Sequence, residues 1–332
     1  MTYNDGHCHT DRERSAHRTF VPLHAVIPNS ERSLMERRRL GKTGMHVSIL
    51  GFGGAEIGYG DATQATVDQL VGEALDAGLN VIDTAECYFT SEALLGHTVA
   101  HRRQEVYLLT KCGHAAGFAL PDWHPRLLVQ SIERSLQRLR TDYVDVVQLH
   151  SCSTAVLQQG EVIEVLQRAR EVGKTRYLGY SGDGAAARYA VECGAFDTLQ
   201  TSINIADQEA LELTVPLATA GGMGVIAKRP VANVAWKYHQ RPADPYLQPY
   251  WERLRRLDYA FLRQPLGDAV GIALRFTLSL EGVHTAIVGS TQPGRWQQNA
   301  GHLATGPLPP EQWAEMRARW KAIADPGWTG EV

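Results

Sequence analysis

Asp83, Tyr88, Lys111 and His150 each stand at or just past the end of a short apolar run, and together they hold the parts of an acid–base device. The runs end in Asp83-Thr-Ala-Glu-Cys-Tyr88, Thr110-Lys111 and Gln148-Leu-His150. A carbonyl that accepts hydride becomes an alkoxide, so a proton must reach the oxygen as charge builds there. Tyr88 can give that proton if its ordinary pKa of about 10 is lowered. A Lys111 ammonium nearby favours phenolate and would lower it, with Asp83 keeping the ammonium in place and charged. His150, as a neutral imidazole, can donate a hydrogen bond to the same oxygen and set its direction. The set needs no metal. Each residue alone has an ordinary structural explanation: a loop cap, a solvated strand-end charge, a packing phenol, a histidine bonded to backbone. Their arrival together on consecutive strands is what favours chemistry.

The elements that must position them alternate strand and helix. Short β-rich runs are predicted at Val47–Phe52, Asn80–Ile82, Val106–Thr110, Val144–Leu149, Tyr177–Tyr180, Thr198–Gln200, Val225–Ala227 and Ala286–Val288. Amphipathic helices lie between them, among them Thr66–Ala77, Arg126–Leu139, Glu161–Val172 and Leu266–Leu280, several closed by a glycine. Eight such units imply a closed α/β barrel of the TIM type, a (β/α)8 fold, with the site at the C-terminal ends of the strands. No G-x-G-x-x-G follows the first strand, which weakens a Rossmann reading. Residues around Met35–Val47 read as a small N-terminal hairpin and Pro309–Ala324 as a C-terminal helix, with Trp313, Met316 and Trp320 in packing roles. Residues 1–34 are polar and aperiodic and stand apart as an irregular extension to a barrel domain over 35–326, with Met35 a candidate start; a native N-terminal peptide beginning at Met1 or Thr2 would reject that start. The long connection Arg229–Pro265, with Trp236, Tyr238 and Tyr246, reads as a loop over the mouth. With Trp123 it offers aromatic walls for a substrate, or simply packing.

Bulk properties narrow the partners. Of 332 residues 44% are hydrophobic and 21% charged, enough for a large core, and a net charge of −3 offers no field for nucleic acid or an anionic membrane. Five cysteines, scattered and without a C-x-x-C pair, suggest neither disulfides nor a zinc ribbon. With no span-length apolar run and no signal-like start, the expectation is a cytoplasmic protein acting on a small carbonyl compound, its oligomeric state open. His7-Cys8-His9 is the one feature that suggests a metal-dependent barrel hydrolase, but no strand precedes it and no second His pair follows at a strand end. Cys87 and Cys112 flank Tyr88 and Lys111, which makes oxidative impairment conceivable; burial as small apolar residues is the commoner case.

Phosphate is often bound after strands seven and eight of such barrels, where a helix N-terminus offers N–H groups. Lys228-Arg229-Pro230 and Gly289-Ser290-Thr291-Gln-Pro-Gly-Arg295 occupy those places, leading into Trp296-Gln-Gln-Asn299. Arg295 is early in a helix, where the dipole disfavours a cation, so a ligand is a better reason for it.

From Leu40 to Asn299 the chain resembles the aldo-keto reductases, through Leu40-Gly-Lys-Thr-Gly44 with Val47-Ser48, Asp83-Thr-Ala-Glu-Cys-Tyr88, Ser91-Glu92 with Leu95-Gly96, Lys111 and His150. The resemblance implies a catalytic tetrad of Asp83, Tyr88, Lys111 and His150, and ordered binding with NADPH first. It implies cofactor contacts at Gly53, Gly54, Ser181, Gln200, Lys228, Arg229 and Pro230, a 2′-phosphate beside Ser290, Thr291 and Arg295, and adenine near Gln298 and Asn299. Three positions depart from the family: Gly182 stands where an Asn commonly follows Ser181, Ile203 where a Tyr stacks on the nicotinamide, and Gly289 where NADPH-specific members often carry Lys. Ile203 could still cover the ring face. The expected cofactor is NADPH on the strength of Arg295, with NADH as the other candidate. A non-catalytic module that binds the dinucleotide and reports redox state is the alternative function.

Overall fold

Two antiparallel strands, β1 (Arg37–Arg39) and β2 (His46–Ser48), open the described part of the chain, residues 35–331 of a computed structural model. The extension 1–34, with its His7-Cys8-His9 triplet, lies outside the described residues. Eight parallel strands follow: β3 (Leu50–Gly53), β4 (Val81–Asp83), β5 (Tyr107–Cys112), β6 (Val144–His150), β7 (Thr175–Ser181), β8 (Thr198–Ser202), β9 (Gly224–Lys228) and β10 (Thr285–Gly289). Each pairs with the next, and β10 pairs with both β9 and β3, which closes the barrel. No helix of the described residues is long and apolar enough to cross a membrane.

The period of two along a strand explains both core and site. Val81, Leu109, Val146, Ile226 and Ile287 form one inner cluster with Leu40, Met45 and Val47, so the hairpin seals the N-terminal end of the barrel. The alternate residues Ile82, Leu108, Val147, Leu199 and Val288 belong to the outer cluster shared with the helices. Two steps beyond the inner apolar layer, the same inward series reaches Asp83, Lys111, Gln148 and Lys228. Lys111 is paired with Gln148, and His150 with Ser181. The polar rim is therefore the continuation of the apolar layer, one pleat higher.

Two expectations are corrected. The predicted first strand, Val47–Phe52, is two strands: β2 ends at Ser48, whose hydroxyl donates to the Leu50 carbonyl (2.6 Å) while its N–H donates to Asn80 Oδ1 (2.7 Å), turning the chain out of hairpin register before β3. The connection after β9 is no loop but a helical insertion, with an α-helix at Gln248–Leu257 flanked by 3-10 turns. Tyr250, Leu254 and Leu257 of that helix bury against Met316 and Trp320 of the C-terminal helix Pro310–Ile323, so apolar periodicity outweighed the prolines. Trp313 stacks on Phe276 at 5.9 Å between ring centres, in keeping with packing.

Candidate active site

Asp83 and Lys111 meet across β4 and β5. Lys111 Nζ donates to Asp83 Oδ2 at 2.6 Å and to the Thr84 carbonyl at 2.9 Å, and both side chains are almost fully buried. Burial alone would lower the lysine pKa; the Asp83 carboxylate, then Tyr88 and Cys87, outweigh it and raise the value, so the ammonium stays charged. Gln148 Nε2 donates to the other Asp83 oxygen at 3.0 Å. Gln148 was present in the sequence pattern without a role. Its place on the inward face of β6, beside Lys111, is the signal that could have assigned one.

Tyr88 sits on the loop after β4. Its ring faces Lys111 Nζ at 5.0 Å from the centroid and lies edge-on to His150 at 5.7 Å. The loop is pinned from outside. Glu86 pairs with Arg134 and Arg138, one turn apart on the helix Pro125–Leu139, and Arg138 also donates to the Glu86 carbonyl at 3.0 Å. Thr84 and Ser91 hydroxyls bond at 2.8 Å, and Glu92 accepts from Thr110 at 2.6 Å. A Cβ on Gly96 would lie 2.1 Å from the Arg138 carbonyl, so that glycine lets the helix Ser91–Val99 press against its neighbour and hold the loop. Phe89 and Ser151, immediately after Tyr88 and His150, adopt left-handed backbone (φ 40° and 64°), a strain of about 1 kcal/mol or more each that turns the chain sharply off the barrel.

One expectation about Tyr88 is reversed in the free protein. Burial pushes the phenol up to about 12; Lys111 pulls it down, as anticipated, but by less, because the ammonium is shared with Asp83, whose own charge pushes the phenol up. Tyr88 is held in its acid form. His150 behaves as expected: burial first, then Lys111, His114, Lys228 and Arg229, hold its pKa well below the usual histidine value, so it is neutral. Tyr59 (5.6 Å from the Tyr88 ring), the exposed Phe89, His114 and Trp123 surround this mouth. Of these only Trp123 was anticipated as a wall; the others lie in segments with no periodic signal. Trp236 and Tyr238 instead line a separate cavity of about 440 Å³ with Trp251 and Tyr259.

Ser181, at the end of β7, and Gln200, in the middle of β8, bond to each other: the serine hydroxyl donates to Gln200 Oε1 at 3.0 Å. Gln200 Nε2 is buried with no partner among the described residues. A buried, unpartnered amide donor is what a carboxamide oxygen would satisfy, so these residues fit the nicotinamide end of a dinucleotide. Ile203 does not fit its suggested part, because it is fully buried in the core and has no free face to lay on a ring. Gly53 and Gly54 close β3, where a Cβ would press on Ile287 and on the Ser91 hydroxyl respectively; neighbouring strands and helices account for both.

The anion end is more occupied than the sequence suggested. Lys228 Nζ pairs with Asp183 Oδ2 at 2.7 Å. Arg229 donates to Tyr246 (2.5 Å), to Ser202 (3.0 Å) and to the Glu331 carbonyl, while the Pro230 carbonyl accepts from Thr277 at 3.0 Å. Gly294, the cap of the helix Arg295–Ala304, gives its N–H to Glu73 (2.9 Å), and this bond is the main reason the Glu73 pKa is lowered. A carboxylate from a neighbouring helix thus already uses one of the expected free donors. Arg295 reaches Gln298 (2.9 Å) and Gln292 (2.6 Å) beside Ser290 and the exposed Thr291; Asn299 is turned inward and buried. A Cβ at Gly289 would lie 1.6 Å from Glu56 Oε2, so the Glu56 carboxylate fills the space in which a longer side chain at 289 would begin. Glu56 was missed, since nothing in the sequence links it to Gly289. Among the described residues no group of three or more His, Cys, Asp or Glu is placed to hold a metal ion.

Known proteins resemble this chain in sequence and in fold. L-galactose dehydrogenase of Arabidopsis thaliana is 28% identical over 281 residues, covering 80% of this chain and 87% of that protein. A 6-dehydroglucose reductase of Novosphingobium aromaticivorans is 36% identical over 156 residues, 43% of this chain and 50% of the other. Among solved structures, the holo form of an aldo-keto reductase from Bacillus halodurans matches with a TM-score of 0.76 at 26% identity, over 88% of this chain and 99% of that one. The sequence model of the aldo/keto reductase family covers residues 49–321, from the residue before β3 into the C-terminal helix, and with the closed barrel in place it follows that the chain belongs to the aldo/keto reductase family of oxidoreductases.

Proposed function

We propose that this protein reduces an aldehyde or ketone with a nicotinamide dinucleotide, NADPH in preference to NADH, and that Tyr88 is the general acid. The bound dinucleotide supplies the hydride. Tyr88 gives its phenolic proton to the oxygen as negative charge develops there, and the Lys111 ammonium stabilises the phenolate left behind. Asp83, itself held by Gln148, keeps that ammonium in place, and neutral His150 donates to the carbonyl oxygen and orients it. Ser181 and Gln200 receive the carboxamide. The observation that carries the reading is the buried Lys111–Asp83 pair at 2.6 Å set against the face of the Tyr88 ring. A phenol held protonated in the free protein is a donor in waiting.

The test is dinucleotide consumption against a panel of aldehydes, ketones and sugars. Sugars are included because the Arabidopsis relative is an L-galactose dehydrogenase and the Novosphingobium relative a 6-dehydroglucose reductase. Turnover with at least one compound is expected; tight binding of NADPH with negligible consumption throughout would favour the redox-reporting alternative.

Cofactor choice has its own test. Arg295 favours a 2′-phosphate, and the Glu56 carboxylate, against the glycine that precedes Ser290, opposes one. Glu56→Gln is expected to tighten NADPH about three- to tenfold in a fluorescence titration while moving NADH by less than about twofold. Equal gains for both dinucleotides would remove Glu56 from cofactor choice, and NADH binding as tight as NADPH in the parent protein would overturn the preference itself.

A further inference from the structure

Cys87 is next to Tyr88 in the chain, yet its sulfur turns to a different member of the tetrad. Cys87 Sγ lies 3.4 Å from His150 Nδ1, 63 residues away in sequence. Among the described residues it is the only side chain hydrogen-bonded to that ring; Tyr88 and His114 meet the imidazole edge-on, with centroids at 5.7 and 5.1 Å. A neutral imidazole carries one hydrogen and accepts at its other nitrogen, so the partner at Nδ1 decides what Nε2 can do. A backbone carbonyl or a carboxylate, the usual partners, can only accept. Either would draw the hydrogen to Nδ1 and leave a lone pair on Nε2, which repels a carbonyl oxygen. A thiol has a hydrogen to give, and an imidazole nitrogen accepts better than sulfur does. Burial keeps that hydrogen in place: it pushes the Cys87 thiol up to about 11 against the pull of Lys111.

We propose that Cys87 is a positioning residue whose thiol donates to Nδ1 of His150 and thereby fixes the imidazole hydrogen on Nε2, the nitrogen left for a substrate oxygen. The proposal rests on the reading of His150 as the group that orients the carbonyl. It explains why a small, polarisable side chain with one weak donor stands beside the general acid, where a carboxylate would pair with the histidine and charge it.

The tautomer can be read without substrate or cofactor, from the two ring nitrogens of His150 in a long-range proton–nitrogen correlation spectrum of labelled protein at neutral pH, with His150→Gln assigning the signals. The parent protein is expected to show hydrogen on Nε2. Cys87→Ser, whose hydroxyl can also donate, should keep that pattern, and Cys87→Ala should show a mixture. In steady state, Cys87→Ala should lower kcat about tenfold with dinucleotide KM unchanged, and Cys87→Ser should recover most of the loss. Hydrogen on Nδ1 in the parent protein, or the same tautomer in the parent and Cys87→Ala, overturns the proposal. If the tautomer shifts as expected but His150→Gln turns over at the parent rate, the hydrogen bond stands and the role given to His150 falls.

Discussion

Tyr88→Phe is expected to lower kcat for carbonyl reduction by about 10²- to 10⁴-fold while leaving dinucleotide affinity and thermal midpoint almost unchanged. The substitution removes one oxygen and keeps the ring. The ring contacts with Tyr59 (5.6 Å), His150 (5.7 Å) and the Lys111 ammonium (5.0 Å) all survive. Among the described residues the hydroxyl has no hydrogen-bond partner, so its loss orphans nothing. A drop in rate with no drop in stability therefore isolates proton donation from packing. Steady-state kinetics with a saturating dinucleotide, alongside a melting curve, makes the measurement. A Phe variant that turns over at the parent rate would mean that the proton comes from elsewhere.

The second large effect is expected at Lys111. Lys111→Met leaves the Asp83 carboxylate buried with Gln148 as its remaining side-chain partner, a loss of about 3–5 kcal/mol of folding stability for an ion pair so deeply enclosed. Activity should vanish as well, because the phenolate would form without a cation beside it. Stability and catalysis can be separated with the double variant Lys111→Met/Asp83→Asn, which removes the stranded charge. It should regain most of the stability and none of the rate. Chemical denaturation of the four corners of this cycle gives the coupling, and recovery of activity in the double variant would show that the ammonium is not needed for the reaction.

Much of this site is local in sequence. The alternation of apolar runs and amphipathic helices is written residue by residue, and the inward series of each strand can be followed outward from Val81 to Asp83, from Leu109 to Lys111 and from Val146 through Gln148 to His150. Strand ends are less legible. All eight barrel strands run past their predicted C-termini, to Gly53, Asp83, Cys112, His150, Ser181, Ser202, Lys228 and Gly289. The polar residues there look like loop in the sequence, yet a neighbouring parallel strand still satisfies their backbone. The insertion after β9 differs from its expected form for the opposite reason: Pro245 and Pro249 sit at helix starts, where the missing N–H is not needed.

The barrel, a small N-terminal hairpin and the four polar side chains at the rim are legible in the sequence, because they follow from periodicities of 2 and 3.6 residues and from residue types at strand ends; that the hairpin closes the base is seen only in the fold. The Lys111–Asp83 pair was expected from residue types; the other partners depend on the tertiary structure. Gln148 reaches Asp83 across 65 residues, Cys87 reaches His150 across 63, Glu73 reaches Gly294 across 221, and the Glu331 carbonyl takes a hydrogen bond from an arginine expected to be free. Barrel closure brings the first strand beside the last, so contacts of this kind depend on through-space distance and on which side chain arrives with hydrogen to give, neither of which has a period to read.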